Sequence, residues 1–256
     1  MNALTVKWQS ASDPLGRATR EFVISGRAER PITGALWQPA QPAAGMVLFG
    51  HGASGDRYQR PIPALAARFC TETGWAAAAI DGPVHGLRQV GVGGRVALRD
   101  EMQRPTAVDD MVADWLAAIE FLQSVDGIGS RIAYFGLSMG SMFGIPLLAA
   151  RHDVRVATLG LLGTSGAAQM LRERLLRDAA AIDCPVLFLM QLEDELFPRD
   201  GYLELFDVIA ATDKRLHANP GLHPEIPQEE IDFAFEFMSA RLAEALPRRI
   251  VNPLAE

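Results

Sequence analysis

The chain has 256 residues, 49% of them hydrophobic and 21% charged, with a formal net charge of −7. That size and balance fit one folded α/β domain with a substantial buried core, and exclude disorder and fibrous repeats. The negative charge argues against nucleic acid or an anionic membrane as partner, and no apolar run reaches the ~18 residues that would cross a bilayer.

Residues 1–17 form the amino-terminal stretch, of which Met1 to Pro14 carry Lys7 and several polar side chains without the continuous apolar core of a signal peptide. They are expected to be loosely ordered, and the protein to reside in the cytoplasm. Residues 18–25 and 32–38 alternate in hydropathy around Arg27-Ala28-Glu29-Arg30, which predicts an antiparallel hairpin at one sheet edge. The pattern then changes. Met46-Val47-Leu48-Phe49 is wholly apolar and runs into Gly50-His51-Gly52-Ala53-Ser54-Gly55, as expected of a central parallel strand feeding a glycine-rich loop.

Residues 63–72 read as a helix that Gly74 can terminate, and residues 75–80 as the next buried strand. Asp81-Gly82-Pro83-Val84-His85-Gly86 follows, and from there to Pro105 the chain is rich in glycine and arginine, which predicts a long loop that could close over a ligand. Thr106 and Asp109 have the spacing of a capping box. They open a helix whose stripe is Val108, Met111, Val112, Trp115, Ile119 and Leu122.

Residues 131–150 predict a buried strand, a sharp turn at Ser138 and a helix containing Pro146, which should bend it. Strands are expected at 154–162, 185–190 and 214–218, and helices at 202–210 and 227–242. Between residues 163 and 184 there is room for one helix and no separate cap. The count is eight strands in a mostly parallel sheet covered on both faces, within a single domain, residues 1–256, whose tail from 247 to 256 is loosely ordered. Cys70 and Cys184 lie far apart in segments that look buried and are read as reduced thiols.

The chemistry centres on Gly136-Leu137-Ser138-Met139-Gly140. In a strand–turn–helix setting this pattern puts the serine in a strained conformation, with its hydroxyl above the sheet and the first helical N–H groups beside it. The close approach of the two backbones calls for glycine at 136 and 140. A serine hydroxyl needs a base, and the base a group that fixes its tautomer. Downstream, Gln191-Leu192-Glu193-Asp194-Glu195-Leu196-Phe197-Pro198 offers carboxylates after one strand, and Asn219-Pro220-Gly221-Leu222-His223-Pro224-Glu225 a histidine after the last. In a parallel sheet such loops emerge on the same edge.

These residues resemble the α/β-hydrolases, through the elbow at Ser138, the His51-Gly52 loop, the stretch Asp194 to Pro198 and Gly221-x-His223, in the order Ser, acid, His. The resemblance covers residues 18 to about 245. It implies the α/β-hydrolase fold, with Ser138 as nucleophile, His223 as general base and then acid, and Asp194 as the group orienting His223; Glu193 and Glu195 read as solvated, and His217 as part of the last strand. It also implies an oxyanion hole of the Met139 and Ala53 N–H groups, with Gly52 the alternative to Ala53, and a supporting role for His51. The short 163–184 segment is similar to that of compact, lid-less esterases and dienelactone-hydrolase-like proteins, although dienelactone hydrolases use cysteine where this chain has Ser138.

No cofactor or metal is expected: Asp81, His85 and Asp100 match no ligand pattern, and the glycine clusters match neither a Rossmann fingerprint nor a P-loop. The expected substrate is a small-molecule carboxylic ester of small or medium acyl chain, held in a shallow open site and cleaved through an acyl-enzyme. The same residues could serve a thioester, lactone, amide, peptide or peroxide, and the fold also occurs as an inert binding module. Arg57, Arg60, Arg88, Arg95 and Arg99 could rim the site and attract an anion, or be ordinary surface charges.

Overall fold

In the computed structural model, residues 5–26 and 30–243 are described. Of the expected turn only Arg30 falls among them, and the tail from 247 lies outside. Nine strands form one sheet: β1 (Thr5–Ser12), β2 (Ala18–Ser25), β3 (Ile32–Trp37), β4 (Ala43–Gly50), β5 (Ala76–Ile80), β6 (Ile128–Gly136), β7 (Val154–Gly160), β8 (Val186–Gln191) and β9 (Lys214–Asn219). Their order is β1-β2-β3-β5-β4-β6-β7-β8-β9. The first three and the β3–β5 pair are antiparallel, and all pairs from β5 onward are parallel.

Both faces of the parallel part are buried, so its strands read as unbroken apolar runs. Along β4, Met46 and Leu48 join one core layer and Val47 and Phe49 the other. The first layer takes helices α3 (Ala107–Gln123), α4 (Met139–Ala150), α5 (Arg172–Ala179) and α6 (Arg199–Val208); the second takes α1 (Ile62–Arg68) and α7 (Gln228–Leu242). In β5 the run Ala76 to Ala79 is wholly buried, where small side chains let both layers approach.

Several expectations are corrected. The sheet has nine strands, not eight, because residues 5–12, expected to be loosely ordered, pair with β2 along their whole length. The alternation there is masked by the exposure of an edge strand; Val6 and Trp8 pack on the core, with the Trp8 ring 5.7 Å from Phe22 and 5.4 Å from Phe121. The long loop from 86 to 105 contains a helical turn (Gly86–Arg88) and a helix, α2 (Gly94–Glu101), anchored by the ion pair of buried Glu101 with Arg30 at 2.6 Å. The capping box is not formed: the Thr106 hydroxyl donates to the Asp110 carboxylate at 2.9 Å, four residues on, and makes no backbone cap. The stripe of α3 is buried as expected, Gly74 ends the first helical segment at φ +70°, and α4 runs through Pro146. Between β7 and β8 stand only a short helical turn (Gly166–Leu171) and α5, so no large cap is present. Among the described residues no helix is long and apolar enough to cross a membrane.

Candidate active site

Ser138 lies between β6 and α4 with φ 58° and ψ −119°, a conformation a non-glycine residue holds only when its surroundings over-determine it. The surroundings are visible. A Cβ on Gly140 would lie 2.3 Å from the Gly50 carbonyl oxygen, and one on Gly136 would lie 2.7 Å from the Tyr134 ring and 2.8 Å from the Gly140 backbone. The Tyr134 hydroxyl donates to the Gly140 carbonyl at 2.7 Å. Ser141 Oγ lies 2.7 Å from the carbonyls of Gly136 and Gly160 and accepts the Gly160 N–H at 2.8 Å, tying the ends of β6 and β7 to the first turn of α4.

The loops after β6, β8 and β9 converge at the carboxyl edge of the sheet. His223 Nε2 lies 2.9 Å from Ser138 Oγ, and His223 Nδ1 lies 2.7 Å from Asp194 Oδ2. His223 is buried, and the Phe197 ring packs 5.5 Å from it, centroid to centroid. Asp194 Oδ1 accepts the Leu196 and Phe197 N–H groups at 2.8 and 3.0 Å, while Oδ2 accepts the Tyr202 hydroxyl as well as the imidazole. Burial opposes the charge on Asp194, but the hydrogen bonds from His223, Tyr202 and Leu196 outweigh it and hold the carboxyl below its ordinary range.

The neighbouring acids are solvent-exposed, as expected, yet each holds the histidine loop: Glu195 accepts the His223 N–H at 2.9 Å and Glu193 the Gly221 N–H. His217 lies in β9, paired with Glu230 at 2.8 Å.

On the opposite side of the site, Gly52 N–H donates to Gln59 Oε1 at 2.6 Å. Its donor is therefore occupied. Among the described residues the N–H groups of Ala53 and Met139 donate no hydrogen bond within the protein, and both residues line a cavity with Ser138. Two histidines brace this loop. His51 Nε2 accepts the Gly82 N–H at 2.8 Å, which leaves the proton on Nδ1 to be donated to the Gly52 carbonyl at 2.8 Å. Burial pushes the His51 imidazole down to about 4. His85 Nε2 donates to the Ala53 carbonyl at 3.1 Å, and burial lowers its value as well.

Of the five arginines, Arg57 and Arg88 do not rim the site. Arg57 is buried in ion pairs with Asp81 (2.8 Å) and Glu21 (2.7 Å), and Arg88 in one with Asp114 (2.5 Å). Arg60, Arg95 and Arg99 are exposed and line the cavities at Ser138. Asp81, also bonded by Thr33 at 2.6 Å, is a buried anchor of the bend. Cys70 and Cys184 are free thiols, both pushed up to about 12 by burial and so inert.

Sequence reasoning missed Tyr202, Gln59 and the role of His85. A tyrosine inside an expected helix gives no sign of where its hydroxyl points. His85 was visible within the Asp-Gly-Pro-x-His-Gly bend, but its acceptor lies 32 residues away at Ala53.

The profile of the dienelactone hydrolase family matches residues 92–221, half of the chain. Among solved structures, a cold-adapted esterase from an Arctic intertidal metagenomic library is 32% identical, with 92% of this chain and 99% of that one covered and a TM-score of 0.78. An acetyl xylan esterase from Paenibacillus sp. R4 shares the fold at 20% identity, with coverage of 93% and 89% and a TM-score of 0.68. Est1E from Butyrivibrio proteoclasticus does so at 16% identity, with coverage of 83% and 96% and a TM-score of 0.65 in its complex with ferulic acid. No curated protein matches the chain.

Proposed function

Because the chain belongs to the dienelactone hydrolase family, we propose that it is a serine carboxylesterase that cleaves small-molecule esters of small or medium acyl chain through an acyl-enzyme on Ser138. The observation that carries this reading is the line of hydrogen bonds from Ser138 Oγ to His223 Nε2 and from His223 Nδ1 to Asp194. His223 takes the serine proton as Oγ attacks the ester carbonyl carbon, and gives it to the alkoxide oxygen when the C–O bond breaks. Asp194 holds the imidazole in the tautomer with hydrogen on Nδ1 and stabilises its positive charge. The oxyanion sits on the N–H groups of Ala53 and Met139, each of which is worth ~3 kcal/mol in such sites. Water then attacks the acyl-enzyme by the same proton route, releasing the acid and restoring Ser138.

The cysteine of dienelactone hydrolases is replaced here by a serine, which demands a base within reach, and the 2.9 Å contact with His223 meets that demand. The test is a panel of simple esters with the wild type and Ser138→Ala. Turnover in the variant is expected to fall by at least ~1,000-fold, and a fluorophosphonate to add its mass to the peptide containing Ser138 in the wild type alone. Full turnover in Ser138→Ala would overturn the reading.

A further inference from the structure

Two cavities meet at Ser138, and their walls share only Ala53, Arg95 and Ser138. The smaller, about 130 Å³, has His223 in its wall, with Ser54, Gln59 and Arg60 set among apolar residues that include Ile62, Leu161 and Ile226. The larger, about 320 Å³, is walled by Leu98, Met102, Met142, Leu162, Ala168 and Leu171, and His223 is not part of it. They therefore differ in the feature that decides how an ester must lie. The leaving oxygen has to come within hydrogen-bond reach of His223 Nε2 to receive the proton taken from Ser138. The acyl group, bonded through its carbonyl carbon to Oγ, must leave by the other route.

We infer that the leaving alcohol occupies the smaller cavity beside His223 and the acyl chain the methionine-rich cavity beneath α2, so that the preferred substrate joins a larger apolar acyl group to a small alcohol. This assignment rests on the acyl-enzyme reading above. Sizes follow from volume. A dry cavity of about 150 Å³ holds a benzene ring, so 320 Å³ accommodates an acyl group of about six to eight carbons, linear or phenyl-bearing. The 130 Å³ cavity holds the volume of about four waters, which suits an alcohol no larger than glycerol. Met102, Met142 and Met170 have unbranched, adaptable side chains, so this wall can fit chains of several shapes. Chain balance is simple: the ester C–O bond breaks, the alcohol leaves with the proton from His223, and water supplies the oxygen of the released acid.

Two ester series test the assignment, ethyl esters from acetate to octanoate and acetates from methyl to octyl, with glycerol monoacetate added. In the wild type kcat/KM is expected to rise by at least about 10-fold from ethyl acetate to ethyl hexanoate, each buried methylene being worth about fourfold, and to fall from methyl to octyl acetate. Leu171→Trp, and the milder Ala168→Leu, should lower the ratio of kcat/KM for ethyl hexanoate over ethyl acetate by at least about 10-fold. Ile226→Trp, in the wall of the smaller cavity, should instead steepen the fall along the acetate series. If Leu171→Trp or Ala168→Leu curtailed the alkyl acetates and spared the acyl series, or if the wild type favoured long alcohols over long acyl groups, the assignment would be overturned while the esterase reading stood. Absence of turnover on every ester, with no fluorophosphonate adduct on Ser138, would overturn both.

Discussion

Tyr202 donates its hydroxyl to the same Asp194 oxygen that faces His223, and its own ionisation is pushed up by burial and by that carboxylate. In the proposed mechanism it touches no reacting atom, so its part is to fix Asp194. Tyr202→Phe is expected to lower kcat by about 3- to 10-fold with little change in KM, and to destabilise the fold by about 1.5–3 kcal/mol, the usual worth of a hydrogen bond to a charged group. Stopped-flow or steady-state kinetics beside urea denaturation would separate the two effects. Gly140 makes the opposite kind of test, since nothing can be added there. A methyl group would lie 2.3 Å from the Gly50 carbonyl, and Gly140→Ala should cost about 2–3 kcal/mol in urea and displace Ser138 enough to cut turnover. The need for that glycine was legible in the spacing around Ser138, whereas the Tyr202 contact was not, because it joins two segments whose approach only the folded sheet defines.

At the level of elements, the loop after β4 is held from below by the bend after β5 through His51 and His85. These bonds fix the carbonyls on either side of the Ala53 N–H, at Gly52 and Ala53, and so hold the group that the proposed mechanism uses as an oxyanion donor. His85→Ala should lower kcat by about 10-fold or less, short of the loss of a whole oxyanion donor, and leave KM nearly unchanged. His85→Gln, whose amide nitrogen can reach the place of Nε2, should restore part of the loss; equal defects in both variants would mean that His85 only fills space. The central strands and amphipathic α3 were legible because parallel strands buried on both faces are continuously apolar and a helix on the sheet repeats every 3.6 residues. β1 was not, since Thr5–Ser12 is half-exposed and holds its place by pairing with β2. Nor was α2, whose glycines at 93 and 94 both adopt positive φ and read as loop although the helix starts there.

For the molecule as a whole, the buried groups set the response to acid. The fold keeps His51 neutral down to about 4, whereas an unfolded chain protonates it near its ordinary value of 6.5. The unfolded state thus binds more protons between those values, so stability is complete above pH ~6.5, declines as the pH falls and levels off below about 4. The shift corresponds to on the order of 3 kcal/mol. Asp194 acts in the same direction, since its lowered value contributes stability that is lost as the pH falls through it. Urea midpoints at pH 7.5 and 4.5 should differ accordingly, and the difference should shrink in His51→Asn; an unchanged difference would remove His51 from the account. A last consequence follows from the backbone at Ser138, φ 58° and ψ −119°. Glycine enters that region freely and alanine does not, so Ser138→Gly should withstand denaturant better than Ser138→Ala by about 1–2 kcal/mol, while the proposed mechanism expects both to be inert. On the proposed mechanism, then, the substitution that relieves this backbone also silences the protein, and the hydroxyl is kept at a cost in stability.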